Sequence, residues 1–372
     1  MPDHEIVYKI ALSMQKHVTS SVVREMETRG LSPKDFFTLD TPALSLALGL
    51  SAGKAFQRME RDEVLFKARK EWEIMQRHNI SGHFLLDDDY PVRLSQASDA
   101  PVFLYRVGDA DLDSAKMVSV VGTRKPTPYG VDFTSRLIED LAAYFPDLTV
   151  VSGLAYGIDA VAHTTAMKAG LPTVAVVAHG LNMIYPAQHR DLARMIVKNG
   201  GAILSEYPFG EQPYRQRFLE RNRIVAGLCD VTVVAESDIK GGAMSTANTA
   251  FSYSRDVMAL PGRASDKLSS GCNMLIRRGK ACLITSAADL IEHVGWQPFG
   301  IPAGVLQRNL FPELDGEAKL VYDTLRFSAE PMQIDRIHSL TLIPISGLMS
   351  VLGEMEFDGI VIRHPGNRFS VS

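Results

Sequence analysis

Arg215, Arg217, Arg221 and Arg223 crowd around Phe218 in one stretch, Arg-Gln-Arg-Phe-Leu-Glu-Arg-Asn-Arg-Ile-Val-Ala-Gly-Leu (Arg215–Leu228). Guanidinium forks suit phosphate, and an exposed Phe offers a stacking surface to an unpaired base. On a helix Arg217 and Arg221 share a face, with Phe218 beside them. Ile224, next along that face, is apolar, so the basic stripe is short. The same residues allow a plainer reading, with Phe218 in the core and the arginines paired to Glu211 and Glu220; the sequence leaves both open.

Two other stretches carry anion-binding features. Val-Ser-Val-Val-Gly-Thr-Arg (Val118–Arg124) and Val-Val-Ser-Gly-Leu-Ala-Tyr-Gly-Ile-Asp (Val150–Asp159) each read as a buried strand, a small-residue turn and a helix. Gly122 lets the backbone turn; Pro126 and Pro128 open the first helix, with Thr127 its N-cap. Unpaired N–H groups at such a helix start attract phosphate. Ser152 and Gly153 repeat the arrangement before Asp159. Lys240-Gly-Gly-Ala-Met-Ser-Thr (Lys240–Thr246) adds a cation, Gly241, Gly242 and the Ser245 hydroxyl at a third helix start. Asn273, Arg277 and Arg278 are candidates for the same edge, or a solvated basic surface.

The elements that must position these groups alternate strand and helix from about Asp113 to Trp296, the mark of a doubly wound, mostly parallel α/β sheet. Strands are expected at Met117–Val121, Thr173–Val177, Ala202–Leu204, Val231–Ala235, Val257–Leu260 and Leu283–Ile284. Helices are expected at Asp191–Lys198, Gln216–Leu228, Ser245–Ser254 and Ala287–Val294. Adjacent parallel strands bring their loops to one edge, where open α/β sheets bind ligands. Ile80–Asp89 reads as a polar loop, and Tyr90–Tyr105 as an extended stretch ending in an added strand.

Outside this sheet the pattern divides. Residues 1–75 read as a helical module, helix-hairpin-helix or SAM-like around Leu44–Lys54, or equally as a helical cap on the next domain. The extended Rossmann-like domain occupies 76–297 and a Pro- and Gly-rich linker 298–312. Residues 313–372 read as three helices and a hairpin, a winged-helix-like domain. Its third helix (Pro344–Glu356) has no Lys or Arg, which disfavours groove reading and suits protein contact.

Several chemistries are excluded or weakened. Gly122–Gly130 lacks the Gly-x-Gly-x-x-Gly spacing, and no Walker-type Gly-x-x-x-x-Gly-Lys-Ser/Thr occurs. Neither Ser152 nor Ser205 has a nucleophile elbow. His163, His179 and His189 are scattered, so no metal site is expected. The Glu206–Gly210 loop has a carboxylate, though shaping the approach to the arginine cluster is its simpler role. Three cysteines show no metal or disulfide spacing; Cys229 and Cys282, in apolar stretches, read as core. The net charge of −4 argues against a generally basic nucleic-acid coat but leaves room for a local basic groove. With no signal-like start and no membrane-length apolar run, the expected compartment is the cytoplasm.

Val-Gly-Thr-Arg, Val-Ser-Gly-Leu-Ala-Tyr-Gly-Ile-Asp-Ala-Val-Ala-His, Ile-Tyr-Pro, Leu-Ser-Glu-Tyr-Pro, Arg-Phe-Leu-Glu-Arg-Asn-Arg-Ile-Val-Ala-Gly-Leu and Ala-Leu-Pro-Gly occur in that order across about Ser114–Val294. As a set they resemble the DNA-processing protein A (DprA/Smf) family. The resemblance implies a dimeric single-stranded DNA-binding protein that protects incoming DNA and loads the RecA recombinase during natural transformation, with no cofactor and no catalysis. It implies DNA contacts at Gly122, Thr123 and Arg124; at Ser152, Gly153, Ala155 and Gly157; at Phe218, Arg221, Asn222 and Arg223; and in the loop Lys240–Ser245. Arg217 joins them from the helical spacing. The Gly-rich loop departs from the family's commoner Ser-Gly-Ser/Thr pattern. The competing reading is a nucleotide phosphoribohydrolase-like enzyme, whose Pro-Gly-Gly-x-Gly-Thr-x-x-Glu loop is faintly similar. Lys240, Met244 and Asn248 replace its Pro, third Gly and Glu.

Overall fold

A computed structural model describes residues 4–15, 17–48, 61–297, 314, 316–326, 328, 331–357, 360–364 and 366–371. It forms two compact units, Met1–Phe299 and Gly300–Ser372.

The first unit is built on a nine-stranded sheet in the order β1-β2-β6-β5-β4-β3-β7-β8-β9. The strands are β1 (Ser81–Phe84), β2 (Phe103–Gly108), β3 (Met117–Val121), β4 (Thr149–Ser152), β5 (Thr173–Val177), β6 (Ala202–Ser205), β7 (Val231–Val234), β8 (Asp256–Ala259) and β9 (Cys282–Leu283). β3 to β9 pair in parallel; β2 adds antiparallel to β6, and β1 antiparallel to β2. Every residue of β3, β4, β5 and β7 is buried, as a strand covered on both faces requires.

Helices α1 (Glu5–Ser13), α2 (Ser20–Thr28), α3 (Pro33–Thr38), α4 (Thr41–Leu48), α5 (Arg61–Arg77) and α6 (Val92–Ser95) precede the parallel core, the first five of them ahead of β1. α7 (Pro128–Tyr144), α8 (Ile158–Lys168), α9 (Arg190–Lys198), α10 (Arg215–Gly227), α11 (Gly242–Ser252), α12 (Ser270–Arg277) and α13 (Ala287–Val294) alternate with the strands. One face of the sheet packs on α7, α8 and α13 through Phe133, Leu137, Ile138, Leu141, Ala162 and Leu290. The other face packs on α10, α11 and α12, and the same hydrophobic cluster runs on through Ile10, Met26, Phe36 and Met75 of the N-terminal helices. Those helices are also tied in by polar contacts. Lys9 meets Asp87 at 2.6 Å, Arg24 donates to Ser95 O and Ala97 O, and Glu71 accepts from Phe209 N at 2.7 Å.

Local differences from the sequence reading have simple causes. The expected polar loop at Ile80–Asp89 contains β1, a short edge strand whose Gly82 is crossed by the Phe103 ring where a Cβ would stand. The expected extended stretch after Tyr90 is interrupted by α6. α11 begins at Gly242, three residues before Ser245. Cys282 is exposed, since two-residue β9 is the sheet's outer strand, whereas Cys229 and Cys272 are buried. The second half of the helix-hairpin-helix stretch, 49–54, lies outside the described residues.

The second unit holds α14 (Gly316–Arg326), β10 (Met332–Gln333), α15 (Ile334–Thr341), α16 (Ile345–Phe357), β11 (Val361–His364) and β12 (Arg368–Val371). A three-stranded sheet, β10-β12-β11, and the three helices enclose Val321, Leu325, Ile337, Leu348, Leu352 and Phe369, making a winged helix. The expected hairpin is β11–β12; β10 is a further strand. No single helix among the described residues is long and apolar enough to cross a membrane.

Candidate nucleic-acid interface

From β3 the chain builds outward through β4 and β5 to β6, then returns over α10 to lay β7 against the other side of β3. The C-terminal ends of β3 and β7 are therefore a topological switch point, where a crevice must open. A cavity of about 690 Å³ lies there. Gly122, Thr123 and Arg124 line it from the loop after β3, and Gly153 and Ala155 from the loop after β4. Phe218, Arg221 and Asn222 enter from α10; Lys240, Gly241 and Gly242 come from the approach to α11. Five of the expected DNA contacts do not line it, Ser152, Gly157, Arg217, Arg223 and Ser245, and neither do Asn273, Arg277 and Arg278.

Two carboxylates of the chain itself accept amides along this edge. At α7 the anion is Glu236, from the end of β7, which accepts Thr127 N–H at 2.8 Å and Thr127 Oγ1–H at 2.5 Å. In the first turn of α8 it is Asp159, whose carboxylate accepts the N–H groups of Gly153 (3.2 Å) and Ala155 (3.3 Å) from the preceding loop; the N-cap of α8, Gly157, has no side chain to cap the helix, and Ile158 N–H goes to Thr123 O at 3.2 Å. Thr123 N–H is likewise engaged, by Glu236 O at 2.7 Å. α11 likewise has Gly241 as N-cap with no side chain to cap it, and its first residues Gly242 and Ala243 line the cavity. Its N-terminal partial charge opens into the cavity, where an anion is favoured.

The glycines serve close approach within the protein. Gly157 has φ +79°, and a Cβ there would stand 2.3 Å from Thr123 O. A Cβ on Gly153 would stand 2.5 Å from the Arg221 guanidinium. They lock the loops after β3 and β4 against each other and against α10, rather than bringing amides to phosphate.

The arginine cluster divides the same way. Arg221 is only 4% exposed; its Nη1 donates to Gly153 O at 2.6 Å and to Val176 O, so it bolts α10 onto β4 and β5. Burial pulls its pKa down to about 10, opposed by the Asp159 carboxylate, and it remains a cation at neutral pH. Burial raises the pKa of Asp159, and Arg221 pulls it back. Arg217 pairs with Glu211 at 2.5 Å and lies over Tyr207 and Tyr214. Arg223 pairs with the partly buried Glu206. Ser152 is buried and donates to Val120 O at 2.7 Å. Asn222 reaches Gly242 O at 3.4 Å, joining α10 to α11, and Ser245 lies within α11 beyond the cavity. Thus the plainer reading holds for Arg217, through Glu211, whereas Glu220 accepts from Tyr207 rather than from an arginine.

Arg124, Arg215 and Lys240 are exposed at the cavity and make no ion pair among the described residues. Phe218 is half-buried, with the Arg124 guanidinium 5.6 Å from its ring centroid and Tyr185 5.7 Å away. Tyr185 and Asp159 line the cavity and Glu236 braces the start of α7 behind it, none of them selected by sequence reasoning. Tyr185 and Asp159 lay inside recognised motifs; Glu236 acts across 109 residues and carried no local signal.

A family model described as DNA recombination-mediator protein A matches residues 82–295, and one for the DprA winged helix domain matches residues 310–367. DNA processing protein DprA of Streptococcus pneumoniae is 42% identical over 207 residues, 56% of this chain and 72% of that protein. Protein Smf of Escherichia coli is 31% identical over 288 residues, 76% of each. The X-ray structure of DprA from Streptococcus pneumoniae superposes with a TM-score of 0.64 at 33% identity, covering 78% of this chain and 98% of that one. DNA processing protein A of Helicobacter pylori, whose structure is described for its single-stranded DNA binding mode, superposes at 0.52 with 34% identity, covering 58% and 95%. On the doubly wound sheet, the ordered motifs at its C-terminal edge and the winged helix that follows, this chain belongs to the DprA/Smf family of DNA recombination-mediator proteins.

Proposed function

We propose that this chain binds single-stranded DNA by its sugar-phosphate backbone across the cavity at the β3–β7 switch point, protects incoming DNA, and loads RecA onto it during natural transformation. It does so as a homodimer in the cytoplasm, without catalysis. One observation carries the reading. Three cations that make no ion pair among the described residues, Arg124, Arg215 and Lys240, line one cavity with the helix start Gly241–Gly242, which no side chain caps, and with the aromatic pair Phe218 and Tyr185. Cations and a free helix start suit phosphates, and exposed rings suit unpaired bases. Within this site Arg124, Lys240, Gly241 and Gly242 meet phosphate, and Phe218 belongs to the aromatic pair that meets a base. Gly122, Thr123, Gly153, Ala155, Arg221 and Asn222 shape the walls. Arg217, Arg223, Ser152, Gly157 and Ser245 support from behind. Backbone recognition of this kind carries little sequence preference.

RecA, the dimer and transformation rest on the family resemblance. In the same reading the winged helix (313–372) hangs on the linker 298–312 and contacts protein, because α16 has no basic residue. The helices within 1–75 brace the sheet domain 76–297 through Glu71 and Phe209. The phosphoribohydrolase alternative lacks its carboxylate: Asn248 donates to Met244 O and accepts from Lys280, both at 2.7 Å.

The test is fluorescence anisotropy with a labelled oligonucleotide, single-stranded against duplex, across a salt series. Single-strand preference that Arg124→Ala weakens is expected. Equal affinity for duplex, or an indifferent Arg124→Ala, would overturn the site.

A further inference from the structure

We infer that Tyr185 is the outward stacking platform of this site and the residue that sets its preference for single strands over duplex. The inference rests on the single-strand reading above and deepens it. Phe218 is an incomplete platform: its ring is half-buried, with Arg124 over it and Tyr185 against it. The Tyr185 and Phe218 centroids are 5.7 Å apart with planes at 56°. Two parallel stacking distances, roughly 7 Å between the outer planes, are needed to hold a base between two rings, so no base fits between these. A base must stack on the outer side of the pair, and Tyr185, 48% exposed, presents that side.

An exposed tyrosine on a loose loop would bind weakly, because ordering it costs entropy. This one is held. The buried His179 accepts Tyr185 N–H on Nε2 at 3.1 Å and donates from Nδ1 to Gly180 O at 2.9 Å. Ser205 Oγ donates to His179 O at 2.7 Å, which fixes the histidine to the end of β6. Gly180 N–H donates to Glu211 O at 2.9 Å, and a Cβ on Gly180 would stand 2.3 Å from Pro208 O. On the far side of Tyr185, the His189 ring bonds Leu154 O at 2.9 Å and Tyr156 donates to Gln188 at 2.6 Å. The loop is therefore pinned at both ends, while the ring it carries stands in solvent at the cavity mouth. Paired bases in a duplex are already stacked on both faces and cannot use it, which turns the platform into a filter for unpaired strands.

The experiment compares oligo-dT with an abasic oligomer of equal length and equal phosphate number, both fluorescently labelled. Binding is measured to wild type, Tyr185→Ala and Tyr185→Phe, with thermal melts to establish that each variant is folded. For oligo-dT, Tyr185→Ala is expected to weaken binding about five- to a hundredfold, the range of one lost base–aromatic stack. Tyr185→Phe is expected to bind as wild type, and the abasic oligomer to bind all three proteins alike with the same salt dependence. Unchanged oligo-dT affinity in Tyr185→Ala, or an equal loss on the abasic oligomer, overturns the stacking role while leaving the DNA site standing. Wild type that does not prefer oligo-dT to duplex overturns the underlying single-strand reading, and the inference with it.

Discussion

Replacing Arg221 with alanine is expected to destabilise the fold first and any DNA contact only as a consequence. Arg221 and Asp159 are 4% and 6% exposed, and each carries a charge that the other offsets. Truncation leaves Gly153 O and Val176 O without their donor, and Asp159 a buried carboxylate held only by two long amide bonds. Losing a buried cation's hydrogen bonds to two carbonyls, together with the charge that offsets Asp159, costs about 3–5 kcal/mol. Urea denaturation followed by tryptophan fluorescence measures this cleanly, because both tryptophans, Trp72 and Trp296, lie in the first unit. The deficit should shrink as pH falls. Without the guanidinium the folded-state pKa of Asp159 rises further above its unfolded value, so the folded state takes up the proton more readily and gains stability on acidification. Asp159→Asn in the Arg221→Ala background should recover part of the loss. Arg124→Ala, on an exposed side chain, should stay within about 0.5 kcal/mol of wild type. An Arg221→Ala protein as stable as wild type but unable to bind single strands would refute this reasoning and make Arg221 a direct ligand.

Other outcomes follow from the same geometry. Arg124→Ala should lower the slope of log affinity against log salt by about 0.7, the value of one phosphate contact on a single strand, which a salt titration reads. Glu71, buried against Phe209 N–H, has its pKa pushed up to about 6, chiefly by burial. Its folded pKa exceeds the unfolded one, so stability should fall by about 2 kcal/mol as pH rises from about 4.5 through about 6. Glu71→Gln should remove that dependence and raise Tm more at pH ~8 than at pH ~5; identical pH profiles for the two proteins would count against it. Gly157→Ala, forced into φ +79° with Thr123 O in the way, should cost about 1–3 kcal/mol, visible as an earlier thermal transition, whereas Gly170→Ala meets no atom within 4 Å and should cost less.

Much of this molecule is legible along the chain. Met117–Val121 and Thr173–Val177 are apolar at every position or nearly so, and only a strand covered on both faces buries such a run. Thr127 and Pro128 mark the start of α7 by cap chemistry that needs no knowledge of neighbours. Repetition of strand, turn and helix then dictates a parallel sheet with its loops at one edge, and so the place of a site. β1 was not legible, because a short edge strand draws its stability from the pairing partner and little from its own pattern.

What each polar side chain does was decided only by the tertiary structure. Arg124 and Arg221 look alike in sequence, yet one stands in solvent and the other is sealed under Gly153, 68 residues away. The helix start at α7 looks ready for phosphate, yet Glu236 already accepts Thr127 N–H there, whereas α11 opens into the cavity with no side-chain cap. Local sequence determines where a helix begins and that its first amides need an acceptor. Whether that acceptor is the chain's own carboxylate or a ligand depends on which distant groups the sheet order brings within about 3 Å. Hydrogen bonds and buried charges act only at that range, so their roles exist only once the chain has folded.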